Sequence, residues 1–319
     1  DSDLYRAHPD WLLQTPGRTP SHGRNQYVLD FSRPEVVDRV HDMMASILSG
    51  AKVSYVKWDM NRSITEAYSA ALPPDRQGEV FHRYILGVYD LYERLTSAFP
   101  HVLFESCASG GGRFDPGMLY YAPQACTSDD SDAAERLKIQ YGTSFCYPVV
   151  SMGAHVSAVP NHQVNRATPL STRANVAYFG TFGYELDLNR LTSEEREQVR
   201  AQIAFMKEHR AVIQFGDFYR LLTPFQGNYT AWMAVSPDRR TALVGWYKTL
   251  NEVNGPFRRL RLRGLDPALC YTVDGTSAHY GDELMEVGLV TTDSSAGECR
   301  DGQCPSRDFD SHIFVLRAD

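Results

Sequence analysis

The stretch AKVSYVKWDMNR, residues 51–62, decides how the chain is read. It begins as an apolar, β-prone run and then places Lys57 and Asp59 where a core would be expected. Side chains of a strand alternate between its faces, so Tyr55, Lys57 and Asp59 share one face and Val56 and Trp58 the other. The flanks complete a strand–helix unit. Upstream, PEVVDRVHDMMASILSG (34–50) carries Val36, Val40, Met43, Met44 and Ile47 at helical spacing, with Pro34 at its front and Gly50 at its back. Downstream, EVFHRYILGVYDLYERLTSAF (79–99) predicts a long amphipathic helix and HVLFESCAS (101–109) a second strand.

The same alternation continues. ACTSDD (125–130) reads as a strand end, DAAERLKIQYG (132–142) as a helix, VVSMGAHVSAV (149–159) as a strand, RANVAYFG (173–180) as a short helix and TFGYELDL (181–188) as a strand end. A capping box, Thr192 with Glu195, opens a last long helix ending at Phe215. Repeated βα units imply a parallel sheet, either open and doubly wound or closed as a barrel. From Gly216 the composition changes to short alternating runs, such as YTAWMAVS and SHIFVLRA, separated by Gly, Pro, Asn and Asp. That is the pattern of an antiparallel β-domain, and it divides the chain at 1–215 and 216–319. Residues 294–308 read as a polar surface loop.

Composition excludes several function classes. With 319 residues, 43% of them hydrophobic, the chain can build a proper core. Its net charge of -7 and lack of basic runs argue against nucleic-acid or anionic-membrane partners. No apolar stretch reaches membrane-spanning length and no signal peptide is visible, which leaves the compartment open, the cytoplasm being favoured. Six cysteines are too sparse for a disulfide framework. Cys107, Cys126, Cys146 and Cys270 read as buried thiols, and only Cys299 and Cys304 are near enough in sequence to suggest a pair. The opening DSDLYRAHPDW lacks an initiating Met and reads like the middle of a domain, so a fragment is expected.

In barrels and open α/β sheets ligands sit at the carboxyl edge of the strands, and three such edges here are polar beyond what packing requires. At the first, Lys57 and Asp59 form either a carboxylate–lysine site or a plain salt bridge or cap. The second, FESCASGGGRFD (104–115), breaks into glycines that let backbone approach a ligand. It has no GxGxxG or Gly-Lys-Ser/Thr signature, which disfavours nucleotides, and a flexible turn does not explain why Glu105 and Cys107 precede it on one strand face. The third, CTSDDSDAAER (126–136), offers Asp129, Asp130 and Asp132 ahead of a helix. Capping accounts for Asp132, and for Asp130 with it, but leaves Asp129 over. Two carboxylates across a barrel mouth are the apparatus of glycoside hydrolysis. A metal site is the competing use, yet His101, His155 and His162 show no HxxxH or HxH spacing and no DxDxDG loop occurs. No metal and no cofactor are expected.

KWDMNR, CASGGGRFD, TSDDSDAAERLKIQYG and MGAHVSAVPNHQ resemble, in order and spacing, the α-galactosidases of glycoside hydrolase family 36 over nearly the whole chain. The resemblance implies a (β/α)8 TIM-type barrel, present here from about strand 4 to strand 8, followed by an antiparallel β-sandwich domain, and a retaining mechanism on terminal α-linked galactose of melibiose- or raffinose-type oligosaccharides. Carried across by motif, Asp59 matches the nucleophile and Asp129 the general acid/base. Lys57, Arg62, Cys107, Ser109 and Gly110 match sugar-binding positions. Retention asks for carboxyls roughly 5–5.5 Å apart, with Lys57 keeping Asp59 ionised and Asp129 starting protonated. The family also implies a homotetramer when full length.

Two departures stand out. Cys126 occupies a position where many members carry Trp, which removes an aromatic platform on the leaving-group side. No DDGW occurs, so by the family's layout the N-terminal β-domain and the first three barrel strands precede this chain. Open sheet edges would then leave it inactive alone, or dependent on the missing sequence. A transferase of the same superfamily and a non-catalytic carbohydrate-binding fragment are the competing readings. An α-N-acetylgalactosaminidase is disfavoured, because a Cys on the C2 side suits a hydroxyl better than an acetamido group.

Overall fold

The computed structural model describes residues 2–253, 258–291 and 308–318, which places Cys299, Cys304 and nearly all of the 294–308 loop outside the described residues. Contacts divide the chain into two units, Asp1–Cys126 and Thr127–Asp319.

In the first unit a short helix α1 (Asp3–Ala7) precedes α2 (Pro34–Gly50), β1 (Tyr55–Asp59), α3 (Val80–Ala98), β2 (Leu103–Cys107), α4 (Pro116–Tyr121) and β3 (Gln124–Cys126). The three strands are parallel, with Lys57 opposite Glu105, Asp59 opposite Cys107 and Glu105 opposite Gln124. One face of this sheet is apolar. There Val56, Trp58 and Phe104 pack on Tyr92, Leu91 and Leu95 of α3, and the Trp58 and Tyr92 rings stack with centroids 4.4 Å apart. Helix α2 turns Val37, Val40, Met44 and Leu48 towards that core. Met43 and Ile47, expected on the same stripe, lie on its outer flank at 40% and 66% exposure. The inward row is therefore narrower than the sequence spacing suggests. Helix α3 passes so close to the preceding loop that a Cβ on Gly87 would come within 1.8 Å of the Phe31 carbonyl oxygen, so glycine is required there.

The second unit begins with α5 (Ala133–Thr143), β4 (Met152–Ser157), α6 (Leu170–Ala177), β5 (Thr181–Glu185) and α7 (Ser193–Phe215). β4 and β5 are parallel, and Thr192 caps α7 through the expected reciprocal box with Glu195. There follow β6 (Asp217–Leu222), β7 (Tyr229–Val235), β8 (Thr241–Lys248), β9 (Arg259–Leu260), β10 (Cys270–Val273), β11 (Ser277–Tyr280), α8 (Gly281–Glu286), β12 (Leu289–Val290) and β13 (Asp310–Ala318). Six of these strands form an antiparallel sheet in the order β11-β10-β13-β8-β7-β6, and β12 pairs with β9.

The central strands β7 and β8 are buried along nearly their whole length, because both faces of the sheet are covered. Trp232, Ala234, Leu243 and Tyr247 pack with α6 and α7, while Ala231, Met233, Ala242 and Val244 pack with Leu260, Leu284 and Leu289. This double cover explains why YTAWMAV and TALVGWY read as nearly continuous apolar runs. RRLRLRGL contributes only the two-residue strand β9, since Leu262 and Leu265 are buried beyond it and Gly264 turns the chain at φ 75°.

Candidate functional site

The polar face of the first sheet is built in two layers. Strict alternation and in-register parallel pairing put Tyr55, Lys57 and Asp59 of β1 on the same side as Glu105 and Cys107 of β2 and Gln124 and Cys126 of β3. The deeper layer centres on Glu105, a buried carboxylate. It accepts hydrogen bonds from the Tyr55 hydroxyl and from Gln124 Nε2 (3.1 Å), and Lys57 Nζ stands 3.4 Å from its Oε1. Burial works against the Lys57 ammonium, yet Glu105, with the Cys126 and Cys107 thiols, holds its pKa above the ordinary lysine value. Burial and Glu105 likewise push the Tyr55 hydroxyl up.

The outer layer is Asp59, exposed at the end of β1. Burial raises its pKa, but hydrogen bonds from the Cys107 thiol, the Asn61 amide and the Met60 N–H outweigh that and hold the carboxyl below its usual range; the Lys57 charge adds the least of the causes. The lysine's ion-pair partner is thus Glu105, and short-range donors keep Asp59 ionised, a difference from the sequence expectation. Hydrogen bonds to the charged form favour it more than a charge on a half-exposed chain can.

Asn61 also organises the glycine-rich turn. Its Oδ1 accepts from Ser109 N (3.2 Å) and Ser109 Oγ (3.3 Å), and its amide donates to Asp59. The turn is tight: Ala108 N donates to Gly110 O at 3.0 Å and Gly112 N to Ala108 O at 3.1 Å, with Ser109 at φ 48° and Gly110 at φ 79°. A Cβ on Gly112 would lie 2.6 Å from the Ala108 oxygen. Met60 N and Arg113 Nη2 both donate to Cys107 O, at 3.0 and 2.9 Å, tying the ends of β1 and β2 together. Lys57, Asp59, Cys107, Ser109 and Gly110 are therefore brought together. Arg62 is committed elsewhere: its Nε donates to Gln26 O (3.1 Å) and its Nη2 to Ser21 O (2.6 Å), which holds loop 21–26.

In the second unit the three aspartates divide their work. Asp132, fully buried, caps α5 through Ala134 N and Glu135 N, both 3.1 Å from Oδ2, and pairs with Arg166. Asp130 Oδ1 accepts from Asp132 N at 3.0 Å. Asp129 is exposed and stands outside this capping network. Its segment is held from beneath, since Arg136 Nη1 donates to Thr127 Oγ1 (2.7 Å), Ser157 Oγ to Ser131 O (3.0 Å) and Asn161 Nδ2 to Ser131 Oγ (3.2 Å). Losing Asp132 would strip two cap bonds and leave Arg166 without that carboxylate. Asp132→Ala is expected to lower the unfolding free energy by about 3 kcal/mol, read as a lower urea midpoint at unchanged slope; a midpoint equal to wild type would refute this account of the segment.

Glu105, Asn61 and Gln124 received no role from the sequence alone. Parity was the available signal for them: Tyr55, Lys57, Asp59 and Asn61 alternate, and Glu105 stands two residues before Cys107 just as Gln124 does before Cys126.

Parallel strands joined by helices, with carboxylates at their C-terminal ends, mark an α/β-barrel type of scaffold. The chain belongs to the Melibiase family, which it matches over residues 1–216, and residues 229–316 match the glycosyl hydrolase family 36 C-terminal domain. It is 56% identical over 290 residues to α-galactosidase AgaA of Geobacillus stearothermophilus, an alignment covering 91% of this chain and 40% of that protein. Against α-galactosidase Mel36A of Lactobacillus acidophilus it is 47% identical, with the same shares covered. Crystal structures of AgaA variants in complex with raffinose and with stachyose superpose on it with TM-scores of 0.95, at 52% and 53% identity, covering 100% of this chain and 43% of theirs. The chain thus spans about 40% of the length of these relatives. Its parallel half-barrel strands and its antiparallel sheet are both matched in those structures. No helix among the described residues is long and apolar enough to cross a membrane.

Proposed function

We propose that the chain is the C-terminal part of the catalytic barrel, residues 1–215, and the C-terminal β-domain, residues 216–319, of a retaining α-galactosidase. Its parallel strands are about the fourth to eighth of a (β/α)8 barrel, and β6–β13 make a sandwich-type domain. The two family matches, ending at residue 216 and starting at residue 229, support that division. Substrates are terminal α-galactosides of melibiose and raffinose type, in keeping with the sugars bound by the AgaA variants. The whole protein is proposed to act as a homo-oligomer, a tetramer by family resemblance.

Asp59 is assigned as nucleophile and Asp129 as general acid/base. The observation that carries the reading is the state of Asp59, an exposed strand-end carboxylate kept ionised by donors from Cys107, Asn61 and Met60. An ionised, outward-facing carboxylate is what attack on an anomeric carbon requires. Lys57, Cys107, Ser109 and Gly110 are assigned to the sugar, and Arg62 serves the same subsite through the loop that it holds at Ser21 and Gln26. Asp129 delivers a proton to the departing oxygen and then takes one from water as the glycosyl–Asp59 ester is hydrolysed. The test is proton NMR of the first product formed from an aryl α-galactoside by the whole protein. α-Galactose appearing first is expected, whereas β-galactose appearing first, or no turnover, overturns the reading. A transfer product dominating in excess sucrose would replace hydrolysis by galactosyl transfer.

A further inference from the structure

We propose that Cys107 and Cys126 form an oxidisable dithiol that closes into a disulfide between β2 and β3. Glu105 is paired with Gln124 and Ser106 with Ala125, so the next residues along the two parallel strands, Cys107 and Cys126, face each other and point to the same side. Neighbouring strands lie about 4.8 Å apart, inside the roughly 4.4–6.8 Å between Cα atoms that a disulfide spans. The two Sγ atoms are already within 4.8 Å of one another, and the thiols are hydrogen-bonded. Closure needs the sulfurs to approach to about 2.05 Å, a change that begins at the χ1 torsions of the two cysteines. The pairing rests on strand register and is independent of the roles assigned to Asp59 and Asp129.

The order of events follows from access. Cys126 is half-buried and Cys107 buried, and the hydrogen bond with Cys126, together with burial, pushes the Cys107 thiol up. Cys126 is therefore the first to react. With a low-molecular-weight disulfide as oxidant, the Cys126 thiolate displaces one thiolate and forms a mixed disulfide. Cys107 then gives up its proton and attacks Cys126 Sγ, releasing the second thiolate. The two protein thiols are oxidised, one small disulfide is reduced to two thiols, and the two protein protons go to the released thiolates. Closure removes the thiol proton that Cys107 donates to Asp59, so oxidation reaches the carboxylate through a bond it loses.

The experiment incubates the native chain with oxidised glutathione until the exposed Cys146 is fully glutathionylated, alkylates in denaturant, and maps peptides by mass spectrometry. The expected result is a cross-linked peptide pair containing Cys107 and Cys126, with loss of those two alkylatable thiols and their return after dithiothreitol. Cys126→Ser should leave Cys107 alkylatable, and Cys146→Ser should leave the cross-link unchanged. If Cys107 and Cys126 both remain thiols, if Cys126 stops at the glutathione adduct, or if either pairs with another cysteine, the proposal fails. Mapping by peptide separates any bridge at Cys299 and Cys304 from this one.

Discussion

Asp59→Ala in the whole protein is expected to lower kcat/KM for an aryl α-galactoside by on the order of 10⁴-fold or more, because removing the proposed nucleophile removes the proposed covalent route altogether. Azide should restore part of that rate. A small anion occupying the space of the lost carboxylate attacks the anomeric carbon from the face opposite the leaving group, so the product is β-galactosyl azide. The wild-type pH profile carries an independent signature. The proposed nucleophile attacks only when ionised, and although burial disfavours the charge, Cys107, Asn61 and Met60 hold the Asp59 carboxyl below the usual range. Activity should therefore fall on the acid side only at pH values below those typical of a carboxylate, and the limb should move to higher pH in Asn61→Ala. Folding stability has the same sign: a depressed pKa stabilises above the unfolded-state value and loses that contribution as pH falls through the folded one. An Asp59→Ala enzyme within tenfold of wild type, or an α-configured azide adduct, would remove Asp59 from its role.

What the sequence makes legible here is decided by periodicity. Tyr55, Lys57 and Asp59 alternate with Val56 and Trp58, and the fold separates them into a polar face and a packed face as that spacing requires. The division of labour in DDSD is legible for a related reason, since Asp132 stands immediately before a helical stretch and a helix start needs an acceptor there. Partners distant in sequence are a different matter. Nothing in KWDMNR shows that Lys57 will meet Glu105 and not Asp59, because that depends on the register of β1 against β2, which is set by packing on α3. Arg62 reads as one more charged group at the mouth of a site until the fold commits it to the carbonyl oxygens of Gln26 and Ser21. The continuous burial of β7 and β8 similarly depends on what covers each face of the sheet, and the sequence of the strands themselves says only that both faces accept apolar side chains. The face-to-face position of Cys107 and Cys126 belongs with these: eighteen residues of chain lie between them, and a one-residue change of register would turn one thiol to the opposite face.

Asp129→Ala should fail differently from Asp59→Ala, and the difference is the strongest discriminator between the two assigned roles. With Asp59 intact the galactosyl–enzyme can still form, provided the leaving group departs without a proton. A nitrophenyl galactoside is therefore expected to give a burst of nitrophenol followed by slow turnover, while raffinose, whose leaving sugar needs protonation, is cleaved about 10²–10⁴-fold more slowly than by wild type. Azide should raise the steady-state rate on the nitrophenyl substrate, since it needs no base to attack the accumulated ester. That attack inverts a centre already inverted once, so the product is α-galactosyl azide, the anomer opposite to the one from Asp59→Ala. It should do nothing for raffinose, where the first step is blocked. Asp130 and Asp132 provide the internal controls. Their carboxylates serve the Asp132 N–H and the start of α5, so Asp130→Asn is expected to keep the raffinose-to-nitrophenyl rate ratio of wild type even if the protein is less stable. If Asp129→Ala instead slows both substrates equally and yields no α-azide, proton transfer is done by another group and Asp129 is only an exposed member of the capping segment.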